Sequence, residues 1–103
     1  MGTMAALDAN TIRDQIYAHI QKQGGAAEQW YIGIASDIDR RLHGDHNVPR
    51  SNHWFIYREA HTANDARAVE KVFLDWGCDG GPGGGDETTC FVYAYLKTVV
   101  TAP

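Results

Sequence analysis

The chain has 103 residues, a length that predicts one domain over residues 1–103 and excludes repeat arrays and multidomain enzymes. With 44% hydrophobic and 21% charged residues, it has the composition of a globular protein. The net charge of -4 argues against a protein that coats nucleic acid nonspecifically through many basic contacts. Apolar runs such as Phe91 to Leu96 are far shorter than the about 20 residues of a membrane span, so no membrane-spanning segment is expected.

The cysteines and the distribution of charge give two weaker signals. Cys78 and Cys90 fit neither a paired-CxxC zinc site nor a dense disulfide framework, and the first ten residues do not resemble a secretory signal, so a cytoplasmic location is predicted. Residues 40–71 carry six of the nine Lys and Arg residues, four of the thirteen acidic residues and four of the five histidines. An anion-binding face and a chance fluctuation both explain this pattern.

The first half of the chain predicts a helix, a strand and a second helix. Isoleucines recur at every fourth position within residues 11–22, which begin with a cap-like Thr-x-x-Asp pattern, as is typical of an amphipathic helix. Residues 29–35 alternate and predict a strand with one crowded face and one bare face. Tyr31 and Gly33 share the bare face. Two explanations are open: a concave floor forms there, or Gly33 lets a helix pack closely and Tyr31 is a cross-strand partner. A second capping pattern at Ser36 predicts a short helix.

The second half predicts two more strands and a longer helix. Residues 53–60 alternate like a strand, and a third capping pattern opens a helix over residues 62–76. The glycine-rich segment 77–85 is expected to be a flexible loop that does not pack, and residues 88–99 predict the last strand. These elements predict an α+β fold with a small three-stranded antiparallel sheet and about three flanking helices.

Two residues, Glu70 and Tyr31, stand where folding alone would not place them. Glu70 falls on the apolar side of the last helix, near Val69 and Phe73, where an unpaired charge is costly. It is therefore paired with an arginine, protonated, bound to a metal or placed at the rim of a pocket. Arg41 lies beside the apolar stripe of the short helix, where an i,i+4 ion pair with Asp37 is the ordinary explanation.

Taken in order, these residues resemble the GIY-YIG nuclease family. Tyr31-Ile32-Gly33 is similar to the second motif of that family, and Arg41 follows the glycine of this motif by eight residues. Glu70 lies on the helix after the next strand, as does the metal-binding glutamate of the family. The resemblance covers residues 29–76. Four residues after the arginine, where the family often has His or Tyr, this chain has Asp45 followed by His46.

The strand that normally carries the first family motif is not found before residue 29, where the sequence reads QKQGGAAEQ. The last predicted strand resembles it instead, because Val92-Tyr93 is similar to the Ile-Tyr pair of that motif. We therefore predict a circular permutation, in which the first strand of the family comes last and returns Tyr93 beside Tyr31. A long flexible loop adds little closure entropy, so such a connection is feasible.

The resemblance implies an endonuclease that hydrolyses DNA phosphodiester bonds with a single Mg²⁺ or Mn²⁺. Tyr31 would orient or deprotonate the attacking water, helped by Arg41 or the metal, which would favour the phenolate. Glu70 would hold the metal, and Arg41 would clamp the phosphate. Tyr93 and His46 would position water and transfer protons. DNA is the implied partner, and a homodimer or a larger partner protein would add specificity.

Two other functions stay open at this point. The same scaffold, with its acidic total charge, would also suit a noncatalytic nucleic-acid-binding or regulatory module. A third hypothesis is a histidine-based metal site that uses His43 and His46 together with His53 or His61.

Overall fold

The computed structural model describes residues 6–23, 25–81 and 86–103. The elements in this part of the chain are helix α1 (Ala9–Lys22), a 3₁₀ turn (Ala27–Gln29), strand β1 (Trp30–Ala35), a π-helix (Arg40–Asp45), strand β2 (Phe55–Glu59), helix α2 (Ala63–Trp76) and strand β3 (Phe91–Leu96). The predicted α+β fold with three antiparallel strands and about three helices is confirmed. None of the helices in these ranges is long and apolar enough to cross a membrane.

Strand β3, the last in the chain, lies at the centre of the sheet. The strand order is β1-β3-β2, and both pairings are antiparallel. The register places Tyr95 opposite Tyr31 and Tyr93 opposite Gly33. Tyr93 therefore lies on the strand next to Tyr31, as the sequence predicted.

Helices α1 and α2 cover one face of the sheet and form the main hydrophobic core. The predicted isoleucine stripe of α1 is fully buried against the bulky side chains of β1 and against Phe73 of α2. Burial of a large apolar side chain contributes about 1.5–3 kcal/mol, so this face supplies much of the stability. The core side chains that carry it are Ile12, Ile16, Ile20, Trp30, Ile32, Val69 and Phe73.

Of the three capping patterns, the one at Thr62 predicted its helix start correctly, the one at Thr11 did not, and at the one that begins with Ser36 the capping side chain is Asp37. At α2 the Thr62 hydroxyl accepts a hydrogen bond from the Asp65 N–H at 3.1 Å, as expected. Helix α1 begins earlier than predicted, because Asp8 rather than Thr11 is its N-cap and accepts from the Thr11 N–H at 2.7 Å. Asp and Thr are both good N-caps. Leu7 forms a β-bridge with Ala60, directly after β2, and this bridge keeps the chain extended up to Asp8, where the helix then begins.

The prediction that the glycine-rich segment does not pack is wrong for its described part. The Ile32 N–H donates to the Asp79 carbonyl at 2.8 Å, and the Asp79 N–H donates to the Trp30 carbonyl at 2.9 Å. These bonds satisfy the outer edge of β1, which otherwise has no partner strand. A side chain at Gly80 would press on the Ile32 carbonyl, so glycine permits the close approach. Residues 82–85 of the same segment lie outside the described residues.

Candidate active site

An open cleft of about 320 Å³ lies at the carboxyl end of β1, between the sheet, the π-helix and α2. Four of the side chains singled out in the sequence line it: Tyr31, Arg41, Glu70 and Tyr93. The fifth, His46, lies behind Tyr93 and is 4% exposed. The three side chains on which the nuclease hypothesis depends are therefore brought together, although they are far apart in the sequence.

The π-helix positions Arg41. The short helix predicted after Ser36 forms, but its hydrogen bonds reach one residue further than in an α-helix, as shown by the bond from the His46 N–H to the Arg41 carbonyl at 3.0 Å. Arg41 pairs with Asp45 at 3.6 Å, so the expected pairing with Asp37 is wrong. The Asp37 carboxylate instead accepts from the Arg40 N–H at 3.1 Å and caps the start of the helix.

The second face of the sheet is not bare, contrary to the sequence prediction. Tyr31 is 4% exposed, and its ring stacks on that of Tyr95 at a centroid distance of 5.2 Å. The Tyr93 ring lies over Gly33, so a methyl group at that position would overlap the Tyr93 hydroxyl. The sequence of β1 could not reveal this, because the side chains that fill the face come from β3.

A hydrogen-bond network joins the π-helix to this aromatic layer. The Tyr93 side chain is fully buried, and its hydroxyl lies 2.6 Å from the His46 Nε2. The Arg41 guanidinium lies close to the Tyr93 hydroxyl in the lining of the cleft, and this neighbour raises the pKa of Arg41. On its other side, the His46 Nδ1 lies 2.7 Å from the Ala102 carbonyl oxygen. Tyr93 thus links a buried histidine to the arginine of the cleft.

Both cleft phenols are protonated at neutral pH, as a free phenol is, and burial makes them harder to ionise. It raises the pKa of Tyr31, an effect that the positive charge of Arg41 only partly opposes. It raises the pKa of Tyr93 to about 12. The expectation that Arg41 favours the phenolate of Tyr31 is therefore right in direction, but burial has the larger effect. Burial also lowers the pKa of His46, so this imidazole is neutral at pH 7.

Glu70 is 8% exposed and lines the cleft. Burial raises the pKa of its carboxyl group, while the charge of Arg67 on the same helix lowers it. A buried carboxylate that opens into a cleft suits a hard divalent cation, because the cation offsets the cost of burying the negative charge. Among the described residues, no three His, Cys, Asp or Glu side chains are close enough to share a metal. Glu70 would thus hold Mg²⁺ or Mn²⁺ mainly with water, as Mg²⁺ usually prefers.

The histidine-based metal site does not form in the part of the chain that the structure describes. His43 Nδ1 lies 2.8 Å from the Val48 carbonyl, and His53 Nε2 lies 2.9 Å from the Leu96 carbonyl. In His43 and His53, a backbone carbonyl thus contacts a ring nitrogen that the metal-site hypothesis needs as a ligand. The Nε2 of His46 contacts the Tyr93 hydroxyl.

Three contributors to the site were missed in the sequence. Tyr95 could have been found, since it follows Tyr93 by two residues and therefore shares its face of the strand. The backbone of Gly81 lies close to the Tyr31 hydroxyl and lowers the pKa of that phenol, and the Ala102 carbonyl accepts from His46. Backbone contacts of this kind have no sequence signal, because every residue carries the same groups.

Comparisons of the chain with models of known protein families, with curated proteins and with solved structures found no match in any of the three.

Proposed function

We propose that this domain is a divalent-metal-dependent endonuclease that hydrolyses DNA phosphodiester bonds, with a GIY-YIG-like site on a permuted chain. The observation that carries the proposal is the convergence of Tyr31, Arg41 and Glu70 on one open cleft. A phenol, a guanidinium and a carboxylate supply the three functions that hydrolysis of a phosphodiester needs. These are a positioned water, a cation that grips the phosphate, and a ligand for the metal.

Arg41 is suited to bind the scissile phosphate. Its side chain is half-exposed, and its ion pair with Asp45 is a solvated i,i+4 contact of 3.6 Å. Such a pair is worth little, so the guanidinium can exchange the carboxylate for a phosphate at small cost. A guanidinium also matches two phosphate oxygens at once.

Tyr31 acts in this proposal as a neutral phenol that holds the attacking water by a hydrogen bond. Its raised pKa favours this role over that of a phenolate base. The Tyr93 hydroxyl lies close to Arg41 and in this proposal accepts from the guanidinium that faces the phosphate. When bound at Glu70, Mg²⁺ or Mn²⁺ would neutralise charge on the phosphate and its leaving oxygen.

The direct test is cleavage of plasmid DNA in the presence of Mg²⁺ or Mn²⁺. We expect Glu70→Gln and Arg41→Ala each to reduce the cleavage rate by at least about 10²-fold, the usual loss when a transition-state contact is removed. Matched controls are Asp75→Asn on the exposed side of α2 and Arg13→Ala on α1, since both residues form only exposed ion pairs. Full cleavage by both cleft variants, with their circular dichroism unchanged, would reject the nuclease proposal.

Metal binding can be tested without DNA. A cation that binds only the folded protein raises its melting temperature, and the rise depends on the cation concentration. We expect Mn²⁺ to raise the melting temperature of the wild type but not that of Glu70→Gln. An equal rise in both proteins would place the metal elsewhere.

A noncatalytic nucleic-acid-binding or regulatory module is the second candidate. It is favoured by the protonated state of Tyr31, because a neutral hydroxyl is a good hydrogen-bond donor to phosphate and a poor base. This candidate predicts that an oligonucleotide binds in a manner sensitive to Arg41→Ala and stays intact with either metal. A homodimer or a larger partner protein stays part of the proposal for either function, and sedimentation with and without DNA tests the dimer.

A further inference from the structure

Residues 98–102, which follow the central strand, fold back and bind the buried histidine. A turn is closed by the Thr98 N–H, which donates to the Thr101 hydroxyl at 3.0 Å, and by the Thr101 N–H, which donates to the Thr98 carbonyl at 3.2 Å. The Ala102 N–H then donates to the His46 carbonyl at 2.7 Å. This segment therefore has a fixed position relative to the π-helix end that carries His46.

A second contact holds the same segment against the residue next to His46. The Asn47 side-chain amide donates to the Val100 carbonyl at 2.8 Å. Two of the peptide carbonyls in the segment, those of Val100 and Ala102, thus tie it to the consecutive residues Asn47 and His46. Two such ties fix the direction in which the Ala102 carbonyl oxygen points.

The hydrogen-bonding groups around His46 allow one arrangement of protons. The Ala102 carbonyl oxygen can only accept, so the His46 Nδ1 at 2.7 Å must carry a hydrogen. The Tyr95 hydroxyl lies 3.1 Å from the same Nδ1 and 3.2 Å from the Ala102 oxygen. Because Nδ1 carries its hydrogen toward that oxygen, the Tyr95 hydroxyl donates to the oxygen and not to Nδ1. A neutral imidazole that carries its hydrogen on Nδ1 has a lone pair on Nε2. The Tyr93 hydroxyl, 2.6 Å from Nε2, must therefore donate its proton to His46.

The direction of the Tyr93 proton matters for the cleft. Because the hydroxyl donates to the buried side, its lone pairs face the guanidinium of Arg41, which can only donate. With the opposite tautomer, His46 Nε2–H would donate to the Tyr93 oxygen, and the hydroxyl proton would turn toward a guanidinium that has no acceptor. Tyr93 and His46 are 0% and 4% exposed, so water does not readily replace either contact.

We propose that residues 98–102 are a positioning element of the site, because the Ala102 carbonyl holds His46 in the Nδ1–H tautomer and thereby turns the lone pairs of Tyr93 toward Arg41. The expected effect on cleavage rests on the proposed function. The tautomer itself does not, because it is set by contacts that involve no substrate. These residues touch neither DNA nor metal in the proposal and act only through His46.

The first test needs no substitution. Nitrogen NMR of the imidazole rings in the intact chain distinguishes a protonated from an unprotonated ring nitrogen. We expect His46 to show a protonated Nδ1 and an unprotonated Nε2 at neutral pH. A protonated Nε2, or a rapidly exchanging mixture of both tautomers, would overturn the proposal whether or not the protein cleaves DNA.

The second test removes the contact. We expect truncation after Lys97 to give a mixture of His46 tautomers and to lower kcat by about 10²-fold, the scale for a misplaced group at an active site, with little change in KM. Thr101→Val removes only the hydroxyl of the turn. It should change the His46 tautomer mixture and kcat in the same direction as the truncation, but to a smaller extent. Val99→Ser is the matched control, since Val99 is fully exposed in the same turn.

The outcomes separate this proposal from the proposed function. If the intact chain shows the Nδ1–H tautomer but does not cut DNA with either metal, the nuclease proposal fails and the tautomer assignment stands. If the wild type cuts DNA and the folded truncated chain keeps full kcat, the positioning role fails. If truncation unfolds the protein, Thr101→Val decides: a wild-type tautomer and wild-type kcat in that variant would also overturn the positioning role.

Discussion

The two faces of the sheet are stabilised in different ways. Under the helices, side chains such as Ile16 and Phe73 are buried by apolar packing, which is nondirectional and depends on volume. On the opposite face Tyr31, Tyr93 and His46 are also buried, but hydrogen bonds of fixed direction order them. The comparison shows that one small sheet separates a stabilising face from a face that positions polar groups beside a cleft.

Glu70 connects the two faces. Its helix packs on the apolar side of the sheet, yet its carboxylate lines the cleft at the end of β1. Strand β1, which carries Tyr31, lies at the edge of the sheet and contacts α2. Packing of α2 on the apolar face therefore holds Glu70 in position at the cleft.

The largest effect on stability is expected from the apolar face. Phe73→Ala should lower the free energy of unfolding by about 3–5 kcal/mol, because the ring is 1% exposed and its removal leaves a cavity. Tyr31→Phe on the opposite face removes one hydroxyl and should cost about 1 kcal/mol. Urea unfolding of both variants tests the contrast, and an equal loss in the two would show that the faces do not differ in this way.

A smaller loss is expected from Gly33→Ala. The added methyl group overlaps the Tyr93 hydroxyl, which cannot move easily because the ring is buried and bonded to His46, so the cost should be about 1–3 kcal/mol. Gly44→Ala is the matched control. Its methyl group meets only the Arg40 Cγ at 3.9 Å, so the change should be neutral or stabilising by up to about 1 kcal/mol. Thermal unfolding compares the two, and equal melting temperatures would contradict the tight contact at Gly33.

The alkaline stability of the protein depends on Tyr93. The folded state raises the pKa of its phenol from 10.0 to about 12, so it binds the proton more tightly than the unfolded chain does. The resulting stabilisation is complete below pH 10.0 and is lost as the pH rises toward about 12. Tyr93→Phe should remove this part of the pH dependence, together with one late step in the phenolate absorbance. If the step persists in the variant, it belongs to another tyrosine.

The smallest effect on stability is expected from Asp45→Asn. The Arg41–Asp45 pair is about half-exposed on both sides, so its loss should change the free energy of unfolding by less than about 0.5 kcal/mol. The same change releases the guanidinium and removes a negative charge from the cleft, and it should therefore tighten oligonucleotide binding. Fluorescence anisotropy at two salt concentrations measures this, and weaker binding would argue against phosphate recognition by Arg41.

The sequence predicted the elements better than it predicted their edges and contacts. The spacing of isoleucines in α1 and of capping residues before α2 reports local preferences, and both helices form. The predictions of a bare face on β1 and of a glycine-rich segment that does not pack were wrong for the same reason. Each depends on a partner distant in the chain, β3 for Gly33 and β1 for Asp79.

The candidate site shows the same division. Glu70 stood out because a carboxylate on an apolar stripe violates a local rule, and Arg41 was found through its spacing from Gly33. The ion pair of Arg41 was assigned to the wrong aspartate, because Asp37 and Asp45 are both four residues away from it. In the structure Asp37 caps the short helix through the Arg40 N–H, and Arg41 pairs with Asp45.

By itself, the sequence determined which segments are helical or extended, which side of each is apolar, and which polar residues are out of place, because these properties depend on neighbours within a few positions. Only the tertiary structure decided that β3 lies between β1 and β2, that Tyr93 covers Gly33, and that Ala102 returns to His46. The contact of His46 with Ala102 joins residues 56 positions apart, and the pairing of Gly33 with Tyr93 joins residues that are also distant in the chain. They are fixed by the best joint packing of the whole chain and not by any local pattern.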